Sequence, residues 1–296
     1  MRPLDRLSLL PLPLFLLLVL SGPATALELA PFKDGLFAYP GLLRSDAGGN
    51  YIVVDYDEMR DINGRDQVPE RRVWDRYVSL KVRRERRELA VDTPAGALKH
   101  FAVGRLRGAS VITVYVHGKG GNRKQGANDH TFGGNFNRLM NLMARNGGLY
   151  LSPDVPGFDA GGAAAIAALI AHYSEASPGA PVIVACGSLG GEICYRLAAD
   201  RDTAAMIAGF VLLGAPPVSG VFDSPAFARG TPFFFGHGSR DTVYSIERAE
   251  AHFRRFDASK PGYPARFVRF ETGTHGTPIR MTDWREALNW ILSFKH

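Results

Sequence analysis

From residue 111 to the C-terminus, short apolar runs rich in Val, Ile and Phe alternate with segments of helical period. That alternation limits the fold more than any other feature of the chain. Residues 111–116 form an almost unbroken β-branched and aromatic run, the pattern of a strand buried on both faces. Further strands are expected over 149–152, 182–185, 209–213, 232–235 and 267–270. Helices are expected over 135–145, 163–174, 189–199, 245–256 and 283–294. The last carries Trp284, Leu288, Ile291 and Leu292 on one face, with Asp283 and Glu286 spaced as a capping box. Strands and helices in such order make an α/β fold: a mostly parallel central sheet with helices on both faces.

Upstream the pattern differs. Residues 51–56, 77–82 and 98–103 read as short antiparallel strands, separated by turn chemistry such as Asn63-Gly64. Residues 27–50, rich in Gly, Pro and Asp, read as an irregular arm. The first 26 residues have the form of an export signal. Arg2 and Arg6 mark the n-region, an apolar run follows over 7–20, and Ala24-Thr25-Ala26 supplies small residues for cleavage. About 14 apolar residues interrupted by Pro11 and Pro13 fall short of the roughly 20 that a spanning helix needs. Cleavage after Ala26 is therefore expected, with a retained anchor as the alternative. The mature chain would be periplasmic or secreted, without stable membrane insertion.

Charge excludes little but points nowhere else. The chain carries +6, or +5 once Arg2, Asp5 and Arg6 leave with the signal. The densest basic run, 81–87, contains Glu85 and lacks interleaved aromatics, so it reads as a solvated strand or hairpin edge and not a nucleic-acid stripe. Two cysteines, Cys186 and Cys194, cannot staple a small scaffold. With one at a strand end and the other two turns into a helix, their Cα atoms are expected beyond the ~7 Å a bridge allows, leaving two buried thiols. No H-E-x-x-H or C-x-x-C pattern and no P-loop spacing appears, so neither metal nor cofactor is expected.

The chemistry gathers around the strand ending near residue 187. The run Cys186-Gly187-Ser188-Leu189-Gly190-Gly191 joins a buried strand to a helix through one serine among small residues. A serine on so sharp a turn needs small neighbours two places to either side, where strand and helix approach closely. Its hydroxyl would then stand at a helix N-terminus, where backbone donors favour developing negative charge.

These residues resemble the nucleophile elbow of the α/β-hydrolase superfamily, whose G-x-S-x-G pattern departs here only in Cys186. The resemblance covers residues 111–296. It implies an α/β-hydrolase fold over one domain, 27–296, and the chain order Ser, Asp or Glu, then His. Residues 236–241, Gly-His-Gly-Ser-Arg-Asp, resemble the acid-bearing loop, so Asp241 is the expected acid and Asp223 the runner-up. Residues 271–276, Glu-Thr-Gly-Thr-His-Gly, resemble the histidine loop, making His275 the base of Ser188. His237 reads as a structural member of the acid loop. The oxyanion hole would combine the amides of Leu189 and Lys119, with Gly118 and Gly120 as near alternatives, because His117-Gly118-Lys119-Gly120-Gly121 resembles the family's H-G-x-G stretch.

Only residues 214–231 connect the strand after the elbow helix to the next, too few for an independent cap. His117, Gly118, Arg123, Lys124 and His130 are candidates for substrate contact, the cations for an anionic group. The function implied is carboxylic-ester hydrolysis through an acyl-enzyme, on a small-molecule substrate. A peptidase or lipase on the same triad, and a silent envelope binding protein of the same fold, are the alternatives. Oligomeric state is left open.

Overall fold

A computed structural model describes residues 27–46, 48–67 and 72–294; the expected signal peptide lies outside them. Among the described residues twelve strands occur, in chain order: β1 Leu42–Ser45, β2 Tyr51–Val54, β3 Asp66–Gln67, β4 Arg72–Val73, β5 Arg86–Thr93, β6 Gly96–Gly104, β7 Ile112–Val116, β8 Leu149–Pro153, β9 Val182–Gly187, β10 Ile207–Leu213, β11 Phe233–Gly238 and β12 Ala265–Phe270. The helices are α1 Asp34–Phe37, α2 Arg123–Gly126, α3 Asn135–Arg145, α4 Ala160–Ala176, α5 Gly191–Ala199, α6 Arg201–Met206, α7 Pro225–Arg229, α8 Ile246–Ser259, α9 Thr277–Met281 and α10 Trp284–Leu292. None of them is long and apolar enough to cross a membrane.

Ten strands form one sheet in the order β1-β2-β12-β11-β10-β9-β7-β8-β6-β5. From β2 to β8 every neighbouring pair is parallel, and Val116 faces Cys186 while Leu213 faces Gly187. The apolar run of β9 divides by alternation. Val184 and Cys186 join one core with Ile166 and Leu169 of α4, Ile193 and Leu197 of α5 and Phe256 of α8. Ile183 and Ala185 join the other, with Leu139 and Met143 of α3 and Leu288 and Ile291 of α10. Helices on both faces therefore explain why these strands read as continuous apolar runs. Each Leu or Phe taken wholly out of water adds about 2 kcal/mol.

The N-terminal strands differ from expectation in placement. β5 and β6 extend the sheet antiparallel beyond β8, while β1 and β2 form a hairpin at the opposite edge, where β2 runs parallel to β12. The arm at 27–50 is not wholly irregular, since it carries α1 and β1. No strand forms over 77–82; 3-10 turns span Asp75–Tyr77 and Leu80–Glu85. The reason is a side chain. Asn137 of α3 accepts from the Ser79 amide at 2.8 Å and donates to its carbonyl at 3.1 Å, which takes the place of a strand partner. The capping box on α10 forms by half. Asp283 accepts from the amides of Arg285 and Glu286, but the Glu286 carboxylate turns to Arg266 instead of back to the cap.

Candidate active site

β9 runs into α5 with only a 3-10 turn, Ser188–Gly190, between them. Ser188 takes φ 52, a left-handed conformation that side chains rarely adopt and that persists only where the surroundings enforce it. They do so by close approach. A Cβ at Gly190 would lie 2.7 Å from the carbonyl oxygen of His117 and 2.8 Å from that of Val116. α5 can press against the end of β7 only because residue 190 has no side chain. The half-buried Ser188 hydroxyl therefore stands at the carboxyl end of the sheet beside the first amides of the helix, which have no intrahelical partner.

His275 lies between β12 and α9. Its Nε2 is 2.8 Å from Ser188 Oγ and its Nδ1 2.7 Å from Asp241 Oδ2. Asp241 follows β11, and its side chain is wholly buried where that of His275 is 27% exposed. Burial alone would raise the Asp241 carboxyl. The hydrogen bond from His275 and the amides of Tyr244 and Val243, at 3.0 and 2.8 Å on Oδ1, outweigh it and hold the group below the usual carboxylate value. An ionised Asp241 keeps the proton of His275 on Nδ1, leaving Nε2 able to accept the serine proton. Asp223 is exposed at the end of a 3-10 turn in the β10–β11 connection.

Residues that the sequence reading did not single out hold the two loops together. Ser239 Oγ accepts from the Thr272 amide at 2.7 Å, and the Arg240 amide donates to the Gly273 carbonyl at 2.8 Å. Thr272 Oγ1 in turn donates to the carbonyl of Tyr56, from the N-terminal region, at 3.0 Å. Below Asp241 sits His237, buried as expected of a structural member of the loop. Its Nε2 is 2.7 Å from the Tyr244 carbonyl and 3.3 Å from Asp241 Oδ2, and burial keeps the ring below the ordinary histidine value. The Tyr244 ring meets that of His275 edge to face at 5.7 Å. Ser239 and Thr272 could have been suspected only as hydroxyls within the two loops.

The loop after β7 turns tightly, with the Gly121 amide on the Gly118 carbonyl at 3.1 Å and Gly120 at φ 76. Gly118 backs directly onto Ser188: a Cβ there would sit 2.8 Å from Ser188 Cβ. Lys119 is exposed at the turn's crest. His117 is buried, its Nδ1 2.8 Å from the Gly118 carbonyl, and burial lowers its affinity for a proton. The other candidates for substrate contact are engaged elsewhere. Arg123 bridges Glu88 and Asp154, each at 2.6 Å, and His130 Nε2 lies 2.6 Å from Arg72. Lys124 lines a separate hollow with Arg83, Arg86 and Phe101.

One reading is corrected at the elbow. Cys186 and Cys194 are not free thiols but a disulfide, with Cα atoms 6.3 Å apart. The close strand-to-helix approach at Gly190 draws α5 nearer than the assumed spacing, and both sulfurs face the same core.

Residues 113–293 match the model of the Alpha/beta hydrolase family. No curated protein matches the chain. Among solved structures, a putative alpha/beta hydrolase from Agrobacterium tumefaciens superposes with TM-score 0.56 at 17% identity, over 70% of this chain and 95% of its own. A serine hydrolase without lid from Xanthomonas campestris gives 0.52 at 16%, over 71% and 94%. An esterase from Pyrococcus furiosus gives 0.51 at 14%, over 71% and 92%. At these identities the likeness is one of fold.

Proposed function

The chain belongs to the alpha/beta hydrolase family, and from that premise we propose that it is a serine hydrolase cleaving carboxylic esters through an acyl-enzyme on Ser188. The observation that carries this reading is the continuous relay from Ser188 Oγ through His275 to Asp241, at 2.8 and 2.7 Å. As Ser188 Oγ attacks the ester carbonyl, His275 Nε2 takes its proton, and Asp241 stabilises the imidazolium that forms. The oxyanion is received by the amides of Leu189 and Lys119. His275 then returns the proton to the leaving alcohol, and water repeats the sequence to release the acid. Two half-exposed residues, Ser188 and His275, and a β10–β11 connection that holds only α7 and a 3-10 turn, too short for a cap, suit a small to medium ester.

The export signal expected over residues 1–26 extends the proposal to a periplasmic or secreted enzyme. The Cys186–Cys194 bridge supports it, since an oxidising compartment supplies the chemistry that forms disulfides.

Fluorophosphonate labelling of the mature protein, followed by an acyl-chain series of p-nitrophenyl esters, tests the activity. Label is expected on Ser188 and on no other serine. Ser188→Ala and His275→Ala should each abolish nearly all turnover, and the double variant should lose little more, because each group is useless without the other. Full esterase activity in Ser188→Ala would leave a silent binding protein as the better reading.

A further inference from the structure

The proposed chemistry leaves unused the covalent bond that closes the nucleophile's own turn. Cys186 stands two residues before Ser188 in β9, and Cys194 six residues after it in α5. The ring they close contains Ser188 at φ 52 and the Leu189 amide, both of which must be placed for attack and for oxyanion binding. Both half-cystines are wholly buried and pack with Val184 and Ile193, so the bridge spans the strand–helix interface and not the surface.

We propose that the Cys186–Cys194 disulfide is a positioning device for the nucleophile, a brace that keeps β9 and α5 at the separation the Ser188 elbow requires. The inference rests on the serine-hydrolase reading of that same site. Three features support it. The elbow conformation is one that a serine leaves unless held. α5 is seated at contact distance, since a Cβ at Gly190 would lie 2.7 Å from the His117 carbonyl and one at Gly191 2.6 Å from Ala215 Cβ. A helix packed this closely cannot move inward, so a brace acts by preventing outward drift, which would lengthen the 2.8 Å contact between Ser188 and His275. Finally, closing a ring this short restricts the unfolded chain less than closing a long loop, so its effect falls more on local geometry than on global stability. At a position where the elbow demands a small residue, Cys186 meets that demand and adds a tether.

The test compares the oxidised full-length mature protein with Cys186→Ala/Cys194→Ala, and with wild type reduced until two thiols are counted. Three quantities are read: the rate of fluorophosphonate labelling at Ser188, kcat and KM on p-nitrophenyl butyrate, and amide hydrogen exchange over residues 187–194. Without the bridge, labelling and kcat should fall about tenfold with KM within about twofold, as expected when a reacting group is displaced by a fraction of an ångström. Exchange should quicken at the elbow and stay as in wild type over the rest of the sheet. Reoxidation of the reduced wild type should restore the rate. An unchanged labelling rate and kcat would overturn the proposal, and so would a loss of protection spread evenly over the sheet. If the oxidised protein takes no label at all, the hydrolase reading fails. The brace, which rests on that reading, then falls with it, whereas label taken at an unchanged rate without the bridge overturns the brace alone.

Discussion

At Asp241 both carboxylate oxygens are committed: Oδ1 to the amides of Val243 and Tyr244, Oδ2 to His275 Nδ1 with His237 alongside. Asp241→Asn keeps the shape and loses the charge, and its NH2 group can face His275 only if Nδ1 gives up its proton. The wrong tautomer then points at Ser188. A loss in kcat of about 10⁴-fold is expected with an unchanged circular dichroism spectrum. Asp223→Asn, on an exposed turn, should leave kcat within twofold; the reverse ranking would move the acid to Asp223. Ser188, Asp241 and His275 could be picked from sequence because each sits in a loop whose composition answers a local need: small residues at a sharp turn, glycines beside a strand end. Ser239 and Thr272 were not legible in that way. The Ser239 hydroxyl takes the Thr272 amide 33 residues on, the Thr272 hydroxyl reaches the Tyr56 carbonyl, and nothing in either loop names its partner.

The helices α5 and α8 meet through Tyr195 and His252, whose Oη and Nε2 are 3.1 Å apart, in an aromatic cluster with Phe222, Phe235 and Phe256. Burial, with the Arg255 charge as a lesser cause, lowers His252 to about 4. In the unfolded chain the same group titrates near 6.5. Between these values the unfolded state binds the extra proton, so this contact's stability is whole above about pH 6.5 and declines as pH falls toward 4. Urea unfolding should show wild type losing about 2 kcal/mol more between pH 7 and pH 4.5 than His252→Phe does. Equal losses would place His252 in contact with water. The helices themselves were readable from their period, as were the wholly buried strands. Residues 77–82 were not, because their alternation resembles a strand while Asn137, distant in sequence, takes the backbone bonds of Ser79.

Across the whole molecule, the N-terminal region outside the family match is tied into the body at several points. Leu29 is fully buried, its amide bonded to Asn289 at 2.8 Å and its carbonyl to Arg285 at 2.7 Å. Arg138, without side-chain exposure, joins Asp34 at 2.9 Å to Asp283 at 2.8 Å. A chain cleaved after Ala26 would thus keep the contacts of Leu29 and Asp34. N-terminal sequencing of extracytoplasmic protein should begin at Leu27, whereas an intact Met1 in the membrane pellet would show a retained anchor. The sequence by itself determined the α/β class, the parallel sheet implied by alternating runs, and the small-residue elbow at Ser188 with Asp241 and His275 as its expected partners, because these follow from local periodicity and from steric needs within a few residues. Only the tertiary structure decided where the N-terminal strands attach, at opposite edges of one sheet, and which cations are spent on ion pairs. It also decided that Cys186 and Cys194 are bridged, with Cα atoms at 6.3 Å. Each of these depends on the distance between segments once they are packed, a quantity that helix and strand periodicity does not contain.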